Sequence, residues 1–390
     1  MICLAQHFKK RRELLSMKTI TEILGGSQIL LGISYDIQDL FEDFLTDKHR
    51  LFLSLLRVIE EVFPPVEEPQ AVTGRKAYAI IPFIRAFLAK SFFKLETNRD
   101  LILRLKSDTS LRTICGFSKL PSEATFSRRF DKLAQSHLME QAINSMAKKY
   151  YKNHIVGHIS RDSTAITARE KPVNKKKTIK INKTKRKRGR PKKGEIVPPK
   201  EDARLTKQLH QKPGKSLKDL NRKCAWGGKK NSKGKTHFWP GYKLHLDVTD
   251  IGIPITAVVT GANVHDSQLA IPMEKMTERK VTHLYSLMDA AYDAPQIRSY
   301  IKGKGRVDLI DFNKRRKSVL QTMTPAEKER YKIRSTVERT NSHLKDWFIP
   351  DKLYVKGYKK VNCVLMTGVL CLSAVKILQY FHLPKSEIAA

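Results

Sequence analysis

One stretch near the C-terminal end carries most of the information in this chain: Tyr331-Lys-Ile-Arg-Ser-Thr-Val-Glu-Arg-Thr-Asn-Ser-His-Leu-Lys345. It contains a phenol, two cations and a carboxylate at offsets of three, seven and fourteen residues, namely Tyr331, Arg334, Glu338 and Lys345. At roughly 100° per residue in an α-helix, these four side chains fall within an arc of about 60°. A hydrophobic core would exclude such a face, whereas a metal ion and a phosphodiester backbone can use every group on it. The pattern therefore indicates a nucleic-acid partner.

Local capping signals predict one continuous helix around this face. Thr324, Pro325 and Glu327 supply an N-cap hydroxyl, a proline for the first helical position and the reciprocal carboxylate of a capping box. No glycine or proline follows before Pro350, so nothing in the local sequence interrupts the helix. We therefore expect a single helix from about Thr324 to Pro350.

Composition points to the same class of partner. The 390 residues include 75 Lys and Arg against 38 Asp and Glu, which gives a formal net charge of +37. Such a surplus attracts polyanions and binds them in a salt-dependent manner. The hydrophobic content of 41% is ample for a buried core. We expect a globular protein that binds nucleic acid.

Cysteine usage and hydropathy predict a cytoplasmic protein with no membrane partner. The five cysteines are scattered and form no CxxC pair, which is typical of reduced thiols in a cytosolic protein. The first residues lack the apolar segment of a signal peptide. Residues 361–381 are strongly apolar, but Asn362, Lys376 and Gln379 interrupt them. We expect this segment to be a helix packed on the core.

Patterning divides the chain into three parts. Residues 1–34 form an N-terminal extension, residues 35–151 show helical periodicity, and residues 152–382 alternate between strand and helix signals. A basic segment, 171–235, interrupts the third part; it is rich in Lys and Arg and has no aromatic residue before Trp226, so we expect it to be disordered unless bound.

Interleaved strands and helices in the third part favour a mixed α/β sheet. Strands are predicted over residues 154–160, 242–248, 253–259, 284–288 and 307–310. A helix is expected from about Asp266, between the third and fourth strands. Asp162 and Asp289 follow the first and fourth strands, and ligands of open α/β sheets gather at such ends.

Two basic motifs are candidates for DNA contact. Residues 111–130 read as two short helices around a turn, so Arg128 and Arg129 either enter a DNA groove or form a solvated helix face. Within the basic segment, Lys187-Arg-Gly-Arg-Pro-Lys-Lys193 resembles an AT-hook. Its Arg188 and Arg190 would lie in a narrow minor groove, and the alternative is a nonspecific basic linker.

Three carboxylates are candidates for metal binding. Asp162 and Asp289 at strand ends and Glu338 on a helix can hold two Mg²⁺ or Mn²⁺ ions, because hard oxygen ligands suit these cations. Two ions about 4 Å apart favour in-line displacement at phosphorus. Each residue also has a structural alternative: Asp162 could cap a turn, Asp289 could form an Asx-turn, and Glu338 could pair with Arg334.

Five separated segments resemble those of bacterial insertion-sequence transposases of the DDE type. The spacing of Tyr331, Arg334, Glu338 and Lys345 is that of the branch with a Y-R-E-K signature. Two segments resemble the surroundings of the family's catalytic aspartates, namely His158-Ile-Ser-Arg-Asp-Ser-Thr164 and Leu287-Met-Asp-Ala-Ala-Tyr-Asp293. The stretch Ala262-Asn-Val-His-Asp266 resembles a further recurrent segment of these enzymes. Residues 111–130 resemble part of their helical N-terminal region.

The resemblance implies an RNase H-like catalytic domain behind an all-α N-terminal domain. It implies that Asp162, Asp289 and Glu338 are metal ligands, that water attacks the phosphodiester at a transposon end, and that the freed 3′-hydroxyl then attacks target DNA. Arg334 and Lys345 would hold end phosphates, and Tyr331 would bind a phosphate or position the glutamate. The implied partners are terminal inverted repeats, target DNA and a second subunit, in the nucleoid of a bacterium.

Some points stay open on the sequence alone. Tyr292 either stacks on a displaced base or is an ordinary packed tyrosine. Only about fifty residues separate Asp289 from Glu338, so the large β-rich insertion of certain relatives is missing there, and the use of DNA hairpins is undecided. Two other functions remain: a non-catalytic DNA-binding protein, and a metal-dependent nuclease that cleaves without joining.

Overall fold

The computed structural model describes residues 45–66, 78–152, 154–172, 203–230, 234–313 and 322–382. Within these ranges the chain begins with six helices. They are α1 (Asp47–Glu60), α2 (Ile81–Phe92), α3 (Asn98–Ser107), α4 (Thr109–Cys115), α5 (Glu123–Ser136) and α6 (Leu138–Tyr151). Side-chain caps begin several of them: Thr46 and Thr97 each complete a capping box, and Ser122 accepts from the backbone of Thr125.

A six-stranded mixed sheet follows. Its strands are β1 (Ile155–Thr167), β2 (Ala225–Lys230), β3 (Thr236–Val248), β4 (Pro254–Gly261), β5 (Thr282–Met288) and β6 (Val307–Ile310). The order is β2-β3-β1-β5-β6, with β4 also paired to β3. The pairs β1–β5 and β5–β6 are parallel, and β3 runs antiparallel to β1, β2 and β4. The expected mixed α/β architecture is confirmed.

Seven further helices flank or extend the sheet. They are α7 (Arg204–His210), α8 (Pro213–Lys218), α9 (Ser267–Thr277), α10 (Pro295–Lys302), α11 (Pro325–Tyr331), α12 (Ser335–Trp347) and α13 (Tyr358–Ile377). Helices α9 and α10 pack on one face of the sheet, and α6, α12 and α13 pack on the other. The sheet is therefore a middle layer between helices.

Strand β1 is longer than predicted, and this changes the position of Asp162. The pairing with β5 ends at Ser160, whereas the pairing with β3 continues as far as Thr167. Because β3 supports the second half of β1, the strand does not stop near residue 160. Asp162 therefore lies inside β1 and not just past its end, whereas Asp289 directly follows β5 as expected.

The predicted continuous helix from Thr324 to Pro350 is wrong in one respect. A 3₁₀ turn, Lys332–Arg334, separates α11 from α12. The turn is anchored to the sheet, because the Tyr331 hydroxyl donates to the Met288 carbonyl at 3.0 Å and the Ser160 hydroxyl lies 3.5 Å from the Ile333 carbonyl. A 3₁₀ turn winds more tightly than an α-helix, so the uniform arc does not extend across it.

The basic segment 171–235 is only partly as expected. Residues 203–230 form α7, α8 and β2, so the prediction of disorder is wrong for them. The Lys275 ammonium donates to the carbonyls of Gln208, Leu209 and Gln211, which binds the end of α7 to α9. Residues 173–202, with the AT-hook-like motif and its Arg188 and Arg190, lie outside the described residues.

Helix α13 joins the helical layer to the sheet. It packs against α1, α2, α5 and α6, and its buried residues share one hydrophobic cluster with residues of β3 such as Leu244 and Leu246. The span Tyr358–Phe381 is long and apolar enough to cross a membrane, but its most apolar window is 78% buried inside the protein. The segment is thus a core helix, as the interrupted hydropathy predicts.

A buried ionic network crosses the other side of the sheet. Arg161 on β1 donates two hydrogen bonds to Asp247 on β3, at 2.6 and 2.7 Å, and one to Glu274 on α9 at 3.0 Å. It also donates to the Ala270 carbonyl at 2.8 Å. The three charged side chains are at most 1% exposed. One guanidinium therefore ties two strands to the covering helix.

We expect Arg161→Ala to lower the free energy of unfolding by about 3–5 kcal/mol, because it leaves two buried carboxylates without their shared cation. Urea denaturation monitored by circular dichroism would measure the change. The matched control is Lys332→Ala, since Lys332 pairs with Glu329 on the surface with both side chains more than 70% exposed. Equal denaturation midpoints for the two variants would contradict this account of the network.

Candidate active site

Asp162 and Asp289 lie at the same level of neighbouring strands. Ser160 of β1 is paired with Leu287 of β5 in the parallel register, so the residues two positions further along each chain are Asp162 and Asp289. Adjacent strands are about 4.8 Å apart. The structure therefore brings these two carboxylates together. Asp289 also caps the 3₁₀ turn Ala290–Tyr292, because its Oδ1 accepts from the Ala291 amide at 3.0 Å.

The alternation of β1 sets the direction of Asp162. Successive side chains of a strand point to opposite faces, so Arg161 enters the network beneath α9 while Asp162 points toward α12. On α12, the Asn341 amide donates from Nδ2 to Asp162 Oδ2 at 3.2 Å. Asn341 is 6% exposed, and its Oδ1 is buried with no hydrogen-bond partner among the described residues. This side chain thus faces the carboxylate at close range.

Burial raises the pKa values of the aspartate pair. Burial, followed by the charge of Asp289, raises the pKa of Asp162 to about 6, although a backbone hydrogen bond from Ser163 acts in the opposite direction. Burial and the charge of Asp266 raise the pKa of Asp289 as well. The cations Arg334 and Lys229 act against both shifts without cancelling them. A bound cation would therefore find a favourable electrostatic environment here.

Glu338 is not part of this pair. It lies in the first turn of α12 with its side chain 54% exposed, and it forms an ion pair with Arg334 one helical turn earlier. Among the residues that the structure describes, no group of three or more His, Cys, Asp or Glu is placed to hold a metal ion. The predicted triad is therefore not assembled, and the alternative pairing of Glu338 with Arg334 is the one observed.

The other residues of the predicted face surround the aspartates. The Tyr331 hydroxyl is bonded to the carbonyl of Met288, the residue before Asp289. The Arg334 guanidinium lies 5.7 Å from the Tyr331 ring centroid and acts electrostatically on both aspartates. Lys345 interacts with Asp162, while burial and the charge of Lys229 lower its pKa. The structure thus places a cationic rim beside two carboxylates.

The donor set fits a divalent cation in part. Asp162 and Asp289 offer adjacent carboxylate oxygens, which Mg²⁺ and Mn²⁺ prefer. Burial raises the pKa values of both carboxyl groups, so a bound cation would favour their ionised forms. Glu338 lies one helical turn before Asn341, which contacts Asp162, but its carboxylate is paired with Arg334.

The predicted helix-turn-helix forms locally. Helices α4 and α5 flank a turn with Gly116 in the left-handed region at φ 87°. Arg128 is exposed and its guanidinium lies 3.3 Å from the Thr125 hydroxyl. Arg129 bonds the Tyr78 carbonyl and lies over the ring of Phe83 at 5.7 Å. Its guanidinium is therefore engaged within the helical layer, whereas that of Arg128 faces outward.

Sequence reasoning missed two residues of the site and left a third undecided. Asn341 lies three residues after Glu338, so the helical period of the quoted stretch could have revealed it. Lys229 was hidden within the segment expected to be disordered. Tyr292 is 1% exposed and packs with residues of α9 and α10, so the packed alternative is the one observed.

We expect Asp162→Asn to stabilise the metal-free protein increasingly as the pH rises from about 3.8 to about 6, and by a constant amount above that. The folded pKa of about 6 lies above the ordinary value of 3.8, so the ionised carboxylate costs stability, and this cost disappears as the group is protonated. Asparagine is neutral at every pH. Thermal unfolding in EDTA should show a gain in melting temperature for the variant that is clearly larger at about pH 7.5 than at about pH 5.

The matched control is Asp351→Asn, which neutralises a carboxylate that is 88% exposed and paired with Lys94. It should show no such pH-dependent gain. A gain for Asp162→Asn of the same size at both pH values would rule out ionisation as its cause.

Family models match both the helical N-terminal region of the chain and the region that contains the sheet. A family model described as "Transposase DDE domain" matches residues 156–374, and one described as "Transposase domain (DUF772)" matches residues 39–132. Comparison with curated proteins and with solved structures finds no match. The first model covers more than half of the 390 residues and includes both aspartates and the whole of α12. The chain therefore belongs to the family of transposases with a DDE domain.

Proposed function

We propose that this transposase binds the terminal inverted repeats of its mobile element, cleaves the DNA there and joins the freed end to target DNA. We further propose that its sheet is an RNase H-like domain and that it belongs to the Y-R-E-K branch. The observation that carries the proposal is that Asp162 in β1 lies level with Asp289, which directly follows the adjacent parallel strand β5, with Arg334 acting on both. Such a pair suits phosphodiester chemistry better than a purely DNA-binding surface.

Asp162, Asp289 and Glu338 would hold Mg²⁺ or Mn²⁺, with two ions in the active enzyme. When bound, these cations supply charge stabilisation at phosphorus and a more acidic water molecule. In this scheme the ion pair of Glu338 with Arg334 opens before Glu338 binds the ions. We propose that a DNA phosphate opens that pair, because a guanidinium binds phosphate through two parallel hydrogen bonds. Substrate binding would thereby release the third carboxylate.

The remaining residues of the face have separate tasks in this scheme. Arg334 and Lys345 bind end phosphates, the first through a planar fork and the second as a point charge. Tyr331 positions Asp289, since its hydroxyl is already bonded to the preceding carbonyl. Asn341 positions Asp162 through the hydrogen bond from Nδ2. The attacking water and the leaving 3′-oxygen would lie between this rim and the aspartates.

The proposed binding partners follow from the net charge of the chain and from its membership of the transposase family. A net charge of +37 suits double-stranded DNA, both as terminal repeat and as target. We propose that Arg128 contacts DNA from the helix-turn-helix and that Arg188 and Arg190 do so from the basic segment. A homodimer on two DNA ends, in the cytoplasm and associated with the nucleoid, completes the proposal.

We expect Asp162→Asn, Asp289→Asn and Glu338→Gln each to reduce cleavage and joining by at least about 100-fold, because each removes a proposed ligand of the metal ions. Labelled DNA with the inverted repeats that flank the gene would be incubated with Mg²⁺ and a target plasmid, and products resolved on denaturing gels. Binding to the repeats, measured by mobility shift, should persist in all three variants.

The control is Glu329→Gln, which changes a 72% exposed glutamate on α11 and should leave both steps unaffected. Cleavage without joining by the wild type would favour a nuclease. Equal products from wild type and the three variants would show that the carboxylates are not catalytic, and the DNA-binding alternative would take their place.

A separate expectation concerns Asn341. Asn341→Ala should lower the cleavage rate by about 10- to 100-fold, since residues that orient a metal ligand have effects of this size. The Mg²⁺ concentration for half-maximal rate should rise while the melting temperature and DNA affinity change little. Ser342→Ala, at the neighbouring exposed position, is the control. A loss of rate with an unchanged Mg²⁺ dependence would argue against the positioning role.

A further inference from the structure

We infer that a basic pocket, at the end of the sheet opposite the aspartates, binds backbone phosphates of the DNA substrate at least about seven nucleotides from the cleavage site. The identity of the ligand rests on the proposed function. The residues of this pocket have no part in the candidate active site.

The basic pocket lies between the C-terminal end of α6 and the turn that leads from α9 into β5. It is an open cavity of about 560 Å³, a size typical of ligand-binding sites. Its charged lining residues are Lys148, Lys149, Lys152, Glu278, Arg279 and Lys280. Five cations and one carboxylate therefore line it.

Groups outside the pocket already compensate its carboxylate. Glu278 accepts hydrogen bonds from the Tyr300 hydroxyl at 3.1 Å and from Arg306 at 3.4 Å, and neither partner lines the pocket. Of the lining cations, Lys149 forms a salt bridge with Glu61 at 2.6 Å. The other lining cations thus keep a surplus of positive charge.

Three of these cations are available to an anion. Lys148, Lys152 and Arg279 are exposed, and none of them forms a hydrogen bond or a salt bridge with another residue that the structure describes. Cations near the C-terminal end of a helix also offset the helix dipole, but the ends of α6 and α9 supply only about one negative charge in total. That is less than the charge of the three side chains.

Lys280 is the least exposed of the five cations. Its ammonium group donates to the Ile255 carbonyl at 2.8 Å and to the Thr256 hydroxyl at 3.0 Å, which leaves one proton for a further acceptor. Burial lowers its pKa to about 8; the charge of Asp247 acts against this shift, and that of Lys148 adds to it. A phosphate bound in the pocket would stabilise the charged form.

Strand β5 separates the basic pocket from the aspartates. Thr282, the first residue of β5, lines the pocket, and Asp289 directly follows the last. At about 3.3 Å per residue, the path from residue 282 to residue 289 is about 23 Å long. Phosphates of one DNA strand are about 3.4 Å apart along the helix axis, so this path covers about seven nucleotides. The pocket therefore takes a phosphate that is distant from the one at the aspartates.

The shape and lining of the pocket favour duplex DNA over a small phosphorylated ligand. Pockets for small ligands are mostly apolar and bury most of the ligand surface. This cavity is open, and cations from two separate elements line it, on a chain with a net charge of +37. Contacts to phosphates position a protein on DNA without reading the base sequence. The basic pocket would thus orient the DNA whose end lies at the aspartates.

The test measures the affinity of full-length protein in EDTA for two series of terminal-repeat fragments. In one series the arm inside the element is shortened stepwise, and in the other the flanking arm is shortened. With long arms, Lys148→Gln/Lys152→Gln/Arg279→Gln should bind at least about 10-fold more weakly than wild type at about 0.1 M salt. The slope of log affinity against log salt concentration should fall by about 2–3. Cleavage of fragments with the short arm should be unchanged in Mg²⁺.

The ratio of wild-type to variant affinity should fall to about one in one of the two series, once the shortened arm is below about seven base pairs. That series identifies the arm that reaches the pocket. A ratio that stays constant in both series would overturn the proposal.

The matched control is Lys106→Gln/Lys352→Gln/Lys359→Gln, which removes the same charge from exposed positions outside the pocket. Its affinity ratio should not depend on the length of either arm. The same length dependence in this control would assign the effect to net charge and contradict the pocket.

A second measurement needs no variant. Wild-type protein would be acylated with an N-hydroxysuccinimide ester, with and without DNA, and the modified lysines identified by mass spectrometry. The fragment with two long arms should protect Lys148 and Lys152, and the fragment without the pocket-reaching arm should not. Both fragments should protect Lys345. Unprotected pocket lysines would overturn the pocket, whereas protected pocket lysines with an unprotected Lys345 would refute the proposed role of Lys345 and leave the pocket standing.

Discussion

The structure depends on the buried guanidinium of Arg161, next to the carboxylate of Asp162 in the candidate active site. Arg161 is enclosed by Asp247 and Glu274, and removing a charge from water is tolerated only when its partners are fixed in position. This requirement determines which face of β1 is turned toward α9. Because side chains alternate along a strand, it also turns Asp162 toward α12. The burial of Arg161 therefore fixes both the orientation of β1 in the core and the direction in which Asp162 points.

The charge distribution has a second consequence. A chain with a net charge of +37 nevertheless holds two aspartates with raised pKa values, because burial favours their neutral forms more than Arg334 and Lys229 favour the ionised ones. A bound divalent ion would favour the ionised forms of both. The arrangement is less stable than a fully paired one, as functional sites commonly are.

The sequence predicted those features that local chemistry determines. Strand β6 falls at the predicted residues, the capping box at Thr324 begins α11, and Asp289 follows β5. Register arguments could also anticipate that two aspartates at neighbouring strand ends would meet. The Glu338 side chain could not be placed in this way, since its two candidate partners were both compatible with the spacing.

The failures have a common physical origin in distant contacts. Nothing near residue 210 indicates that Lys275, more than sixty residues later, caps α7. Likewise the 3₁₀ turn after Tyr331 depends on the Met288 carbonyl, and the length of β1 depends on β3. The prediction of disorder for the basic segment used its composition alone. Composition does not indicate which of its residues pair with a strand.

Helix α13 has an implication for how the protein is made. It fills the space between α1, α2, α5 and α6, yet the ribosome synthesises it after all of them and after the whole sheet. The helical layer therefore cannot close its core until this helix emerges, so the N-terminal helices do not fold as a separate early unit. A translation product interrupted before α13 would therefore lack the helix that completes the hydrophobic core of the helical layer.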